Sequence, residues 1–194
     1  MKISRFAGLG AIVGGLVAGA YVLTVRGALT VDLEVGRRIR PLGPHHMHIS
    51  ADPETVFDVV AGPYLGKTPR AMESKLDVLE RGSDMVLAAH YTPVAGGMTA
   101  TTVETVRFER PNTISFNLVR GPVPHVRETF QFDPADGGTQ FTYSGEIGAD
   151  LWAFGGWWAG LVAGPWERTV EASMAGIKDE AERIAAVTRS RARK

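Results

Sequence analysis

The side chains best equipped for chemistry are five histidines and a few glutamates. Three of the histidines stand together in His45-His46-Met47-His48. On an extended strand successive side chains alternate, so His46 and His48 share a face while His45 points the other way. Two imidazoles at that spacing can bind a transition metal, but a stable site needs a third and usually a fourth ligand. No third ligand can be assigned from spacing. An exposed histidine pair is the simpler reading, and neither a metal nor another cofactor is expected. The candidates for general acid–base work are His90, Glu104, His125 and Glu128, all on segments with strand chemistry that can face a cavity. There is no G-x-S-x-G, no H-E-x-x-H and no phosphate loop. The chain has no cysteine, which excludes a thiol nucleophile, thiolate metal sites and a disulfide framework.

These residues need a frame. "HHMHIS" reads as a short strand, and "ADPETVFDVVAG" as a helix with Asp52 as N-cap, Pro53 in the first turn and a stop at Gly62-Pro63. "KLDVLERGSDMVLAAHYTP" holds two strands around Gly82-Ser83-Asp84. "TATTVETVRFERP" and "TISFNLVRGP" each supply one more. "HVRETFQFDPADGGTQFTYSGEIG" reads as a hairpin turning at Asp136-Gly-Gly138. Short antiparallel strands in this number imply one strongly curved sheet. The period then changes. Val162, Trp166, Val170, Met174, Ile177, Ala181 and Ile184 recur every three or four residues, marking one face of a long helix.

The order of these elements resembles the START-like or polyketide-cyclase/dehydrase superfamily. Three patches carry the resemblance: "ISADPETVFDVVAGPY", "GGTQFTYSGEI" and "GPWERTVEASMAGIKDEAER". It covers residues 44–187, and "TVDLEVGRRIRPLGP" looks like the linker of an actinobacterial membrane-anchored subgroup. The resemblance implies an α+β helix-grip fold: a short helix pair after the first strand, then a curved antiparallel sheet wrapped around a long C-terminal helix. That arrangement leaves an apolar cavity between sheet and helix, where a small molecule binds. The residues expected to line it are Leu87, Tyr91, Phe116, Phe130, Phe141, Tyr143, Trp158, Val162, Trp166 and Val170. The competing reading is that they close-pack a solid core.

"FAGLGAIVGGLVAGAYVLTV", residues 6–25, carries no charge. As a helix it would span about 30 Å, the hydrocarbon thickness of a bilayer. Residues 1–26 are therefore expected to be a transmembrane anchor. The alternative is a cleaved signal peptide, since Ala18-Gly19-Ala20 resembles a cleavage site. Gly10, Gly14, Gly15 and Gly19 would let a partner helix approach closely. Arg26, Arg37, Arg38 and Arg40 outweigh Lys2 and Arg5, which favours a cytoplasmic domain. Residues 27–44 read as a juxtamembrane linker, 45–187 as the helix-grip domain and 188–194 as a basic tail. Twenty-one basic residues balance 21 acidic ones, so no nucleic-acid partner is expected. Residues 151–164 are uncharged but too short to span. Three readings suit them: a cavity gate, a patch dipping into the membrane interface, and plain core.

The expected function is binding of a hydrophobic small molecule, lipid or polyketide-like, by a membrane-tethered, non-catalytic domain. The alternatives are a cyclase or dehydratase acting on such a ligand, and an accessory single-span subunit of a membrane complex. An open pocket lined by Trp166 and Tyr143 but free of any buried titratable group would favour the carrier over the enzyme.

Overall fold

Alternation along the strands decides which side of the sheet each residue takes, and the register decides which residues meet there. A computed structural model describes residues 3–66 and 72–192; the side chains of residues 3–13 and of Ala95 lie outside that description. The elements are α1 (Ile3–Val25), β1 (Arg38–Ile49), α2 (Pro53–Leu65), β2 (Leu76–Arg81) and β3 (Met85–Val94). They continue with β4 (Met98–Glu109), β5 (Thr113–Arg120), β6 (His125–Ala135), β7 (Gly138–Ala149) and α3 (Trp152–Ala192). The strands form one antiparallel sheet in the order β1-β7-β6-β5-β4-β3-β2. The first strand thus pairs with the last, and α3 packs across β1 and β7 and against α2. This is the helix-grip arrangement.

The ladder pairs Ala88 with Glu104, Glu104 with Leu118, Phe116 with Glu128 and Phe130 with Tyr143, which sets all of them on the inner face. An aromatic chain closes much of that face. Phe116, Phe130 and Phe141 follow one another at ring separations of 5.1 Å, and Phe141 meets Phe132 at 5.1 Å. Tilted and edge-on contacts of this kind add about 0.5–1.5 kcal/mol per pair beyond the area they bury.

Several boundaries differ from the sequence reading. β1 begins at Arg38, so pairing with β7 reaches back into the 27–44 connector. Asp52 caps α2 by accepting from the Thr55 amide, but the helix runs through Pro63 to Leu65 instead of stopping at Gly62-Pro63. Of the expected helix pair, α2 is the one helix between β1 and β2 among the described residues. α3 starts at Trp152, so the uncharged segment and the amphipathic one form a single 41-residue helix. The expected transmembrane element coincides with helix α1. Among the described residues, however, no helix is long and apolar enough to cross a membrane. Residues 6–13 of the expected span, Gly10 included, have side chains outside the description. Gly14, Gly15 and Gly19 have nothing within 4 Å of where a side chain would begin.

The connector after α1 is not a free linker. Asp150, buried at the end of β7, accepts from the Leu33 amide at 2.6 Å and the Glu34 amide at 2.9 Å. Arg37 Nε donates to its other oxygen at 2.7 Å. Hydrogen bonding from Arg37 is the main influence that holds the Asp150 carboxyl down at about 2, against the opposing effect of burial and with help from the two amides. Leu151 and Trp152 then donate their amides to the Val35 and Gly36 carbonyls. Asp150→Ala should lower the unfolding free energy by about 1–3 kcal/mol, the worth of hydrogen bonds to a charged group. Because the folded pKa is depressed, this contribution is present above the ordinary value of 3.8 and is lost as pH falls through about 2. Urea unfolding of the two proteins should therefore differ at pH 7 and converge at the acid end.

Candidate active site

The inner face of the sheet carries a polar cluster inside the apolar core. Glu104 of β4 and Glu128 of β6 are both buried, two strands apart, with Phe116 of β5 beside Glu128 in the ladder. Glu104 Oε1 accepts from the Thr102 hydroxyl at 2.8 Å, and its Oε2 lies 3.2 Å from His90 Nδ1. The other ring nitrogen of His90 is 2.9 Å from the Tyr64 hydroxyl, which α2 delivers from its last turn. Phe116 lies near both rings, 6.2 Å from Tyr64 and 6.5 Å from His90. On the far side of Phe116, Glu128 Oε1 accepts from the Tyr143 hydroxyl at 2.6 Å and from Trp166 Nε1 at 2.7 Å.

Burial raises the free energy of each ionised carboxylate, and neighbours decide how far each escapes it. For Glu104 burial pushes the pKa up, but the charge and proximity of His90 and the Thr102 hydroxyl bring it below the usual carboxylate value. His90 is pulled down by burial and raised by Glu104 and then Glu128, and ends above its ordinary value. Each thus favours the charged form of the other. With His90 protonated, its Nε2 carries a hydrogen and donates to the Tyr64 oxygen, which keeps its own proton to give. Glu128 fares differently. Burial and then the charge of Glu104 push it up to about 7, against the opposing pull of Tyr143, Trp166 and His90. Both of its hydrogen-bond donors use Oε1. The proton of the neutral acid therefore sits on Oε2, to which no group bonds among the described residues. Gly145 lies opposite Glu128 in the ladder. A Cβ there would stand 3.1 Å from Glu128 Cγ and 2.7 Å from the Arg127 carbonyl oxygen, so glycine leaves the carboxyl its place.

Three of the four acid–base candidates, His90, Glu104 and Glu128, thus meet on one face. His125 does not: it lies on the outer face, bonded to Glu146 at 2.8 Å. Tyr64, Thr102 and Tyr143 complete the cluster with hydroxyls whose polar role the sequence did not single out. Of the expected lining residues, Phe116, Phe130, Phe141, Tyr143 and Val170 are buried in the core, and Trp158, Val162 and Trp166 pack partly buried against it. Leu87 and Tyr91 are corrections. They alternate with Val86, Ala88 and His90 and so take the outer face, where Leu87 lines a shallow groove with Glu80, Met85 and Thr105. His46 and His48 are exposed and bond Thr142 and the Asp136 carbonyl, while His45 turns inward and stacks on Tyr143. No group of three or more metal-ligating side chains forms among the described residues.

Among the inner-face side chains that keep some exposure are His90, Leu118, Val162 and Trp166.

This fold and this face define a helix-grip protein with an acid–base cluster under the grip. The chain belongs to the family described as polyketide cyclase / dehydrase and lipid transport, which it matches over residues 45–182. Among solved structures it is similar to the Zhui aromatase/cyclase from Streptomyces sp. R1128, at 18% identity and a TM-score of 0.60. That alignment covers 76% of this chain and 94% of the other. TTHA0849 from Thermus thermophilus aligns at 21% identity and a TM-score of 0.58, over 73% of this chain and 97% of its own. The di-domain ARO/CYC BexL of the BE-7585A biosynthetic pathway aligns at 16% identity and 0.60, over 93% and 59%. These likenesses establish the fold. No curated protein matches the chain in sequence.

Glu128→Gln keeps an oxygen for Tyr143 and Trp166 but cannot ionise. A raised folded pKa means that Glu128 contributes stability fully present below its ordinary 4.5 and lost as pH rises through about 7. Thermal unfolding of the wild type should therefore weaken across that window. The Gln variant should show a flatter profile there; an unchanged profile would place the titration elsewhere.

Proposed function

We propose that this protein is an acid–base enzyme of the cyclase/dehydratase kind, acting on a hydrophobic, polyketide-like molecule held between sheet and α3. The observation that carries the reading is a Glu104–His90 pair at 3.2 Å and a second buried carboxyl, Glu128, on the same inner face under α3. A carrier for an apolar ligand has no use for two buried carboxylates, and apolar replacements would hold the ligand at lower cost. Ionised Glu128 can take a proton from the carbon next to a ligand carbonyl. The enolate oxygen then faces the Tyr64 hydroxyl, backed by the His90 imidazolium. Glu128 next returns the proton to a departing hydroxyl, so a C–H and a C–O bond break, a C=C bond forms and water leaves. A group with its pKa near the working pH serves both steps.

We further propose that α1 tethers the domain to a membrane with the domain on its cytoplasmic side. This rests on the uncharged run at residues 6–25 and the arginines after it. Arg37 is committed to Asp32 and Asp150 and Arg40 to Glu167, which leaves Arg26 and Arg38 as the flanking charges.

Native mass spectrometry after gentle detergent extraction should reveal a co-purified apolar small molecule. Incubated with an aromatic β-hydroxyketone probe, the wild type should release water and form the conjugated ketone. Glu128→Gln should retain the probe and lose turnover by about 10²-fold or more, the usual worth of a positioned acid–base group. Equal turnover in the variant would remove Glu128 from the reaction, and retention without turnover in either would return the protein to the carriers of its family.

A further inference from the structure

The first three turns of α3 are built inside out. Gly155, Ala159 and Ala163, the small residues, face the protein and are buried. Phe154, Trp157 and Leu161, at helical spacings of three and four, face away, and with Trp152 they are each more than half exposed (51–62%). An amphipathic helix places its large apolar side chains toward the core. Here they are held out, at a backbone cost. Leu151 and Trp152 have φ of 71° and 52°, a region unfavourable for residues other than glycine. Both are kept there by the connector: their amides bond the Val35 and Gly36 carbonyls, and Asp150 anchors the same loop. The Trp152 indole lies flat over Gly36, where a Cβ would stand 2.5 Å from the ring. The rings cluster: Phe154 is 5.7 Å from Trp157, Trp157 is 6.5 Å from Trp158, and Trp158 meets Tyr21 of α1 at 6.0 Å.

We propose that this aromatic face of α3 seats in the interface of a lipid bilayer, beside the end of α1. Three observations choose a bilayer over a protein partner. The face is continuous, through the Tyr21–Trp158 contact, with a helix whose Leu16, Val17 and Leu23 are also exposed. No charged residue occurs between Asp150 and Glu167, and Asp150 is turned inward onto Arg37. The charges beside the face are mostly basic. Arg38 lies against Gly156 and Arg26 ends α1, while Asp32 is paired with Arg37 and Glu34 is the one acidic side chain near the loop with no resolved partner among the described residues. Tryptophan and tyrosine favour the headgroup level, and arginine favours anionic lipid. Seated so, α3 would present Trp158, Val162 and Trp166, the residues leading toward Glu128, immediately above the bilayer. An apolar substrate could then enter from lipid without crossing water. The docking stands apart from the α1 tether, though it shares its membrane.

The absence of cysteine makes the test direct. Full-length Trp157→Cys, Phe154→Cys, Leu16→Cys and Thr188→Cys, each carrying an environment-sensitive fluorophore, are reconstituted with vesicles of phosphatidylcholine and phosphatidylglycerol. Labels at 157 and 154 should shift to the blue and lose emission when the lipid is brominated. The label at 188, at the far end of α3, should do neither. Lipid contact at 16 but not at 157 and 154 would overturn the docking and leave the tether standing. Contact at 157 and 154 but not at 16 would do the reverse. A blue shift at 157 without quenching by brominated lipid would mean a protein partner and would overturn the proposal.

Discussion

Two carboxylates, Glu104 and Glu128, are buried on the inner face of the sheet, and the rest of that face is arranged around the cost of keeping them there. An isolated ionised carboxylate would be far too unfavourable in an apolar setting, so each must be paired, hydrogen-bonded or neutral. Glu104 is paired: His90 sits across one oxygen and Thr102 across the other. Glu128 lacks a cation of its own and instead receives two neutral donors on one oxygen. Burial, and then the charge of Glu104 acting through the low-dielectric core, push it toward neutrality. The inequality of two chemically identical side chains is thus set by which one holds the histidine. Each supporting group comes from a different element: Tyr64 from α2, His90 from β3, Tyr143 from β7 and Trp166 from α3. A change in the seating of either helix would be felt at the carboxylates.

The other organising contact is at the opposite edge, where Asp150 gathers the connector. It ties residues 33–37 to the turn between β7 and α3, and so couples the direction in which α1 leaves to the direction in which α3 begins. Thr30 bonding the Gly121 carbonyl and Gly27 lying on Thr101 extend this seam across the sheet. The result is a connector bonded to the domain at Thr30 and at residues 33–37, where a free linker would have left α1 uncoupled from it.

Much of the sheet was legible because its signals are local. Turn residues at Gly82-Ser83-Asp84 and Asp136-Gly-Gly138 bracket strands whose apolar residues alternate, and the strands lie where those signals put them. The face assignment was less legible. Leu87 and Tyr91 are apolar, yet they point outward, because register places the smaller Ala88 and the polar His90 inside; a hydrophobicity reading prefers the larger side chains for the core. The meeting of His90, Glu104 and Glu128 depends on pairing between strands separated along the chain, and no spacing within one strand encodes it. Tyr64 was hidden for a related reason. Only the passage of α2 through Pro63, where a stop was expected, brings its hydroxyl to His90. The long uncharged start of α3 gave an ambiguous signal, since the same residues suit a core, a gate or an interface until the burial of Gly155 and Ala159 shows which side faces in.

The strand order has a consequence for how the chain reaches this structure. β1 is made first during synthesis but finds its partner only when β7 is complete, with the sheet from β2 to β6 formed between them. The loop that must close is most of the domain, and non-local closure of this kind is slow because its entropy is lost before the contacts form. Until then β1 and the inner edge of β7 are open strands, able to pair with another chain. α1 emerges earlier still. If α1 is captured at a membrane, as proposed above, while β1 waits, neighbouring nascent chains are held apart and this late closure is shielded from aggregation.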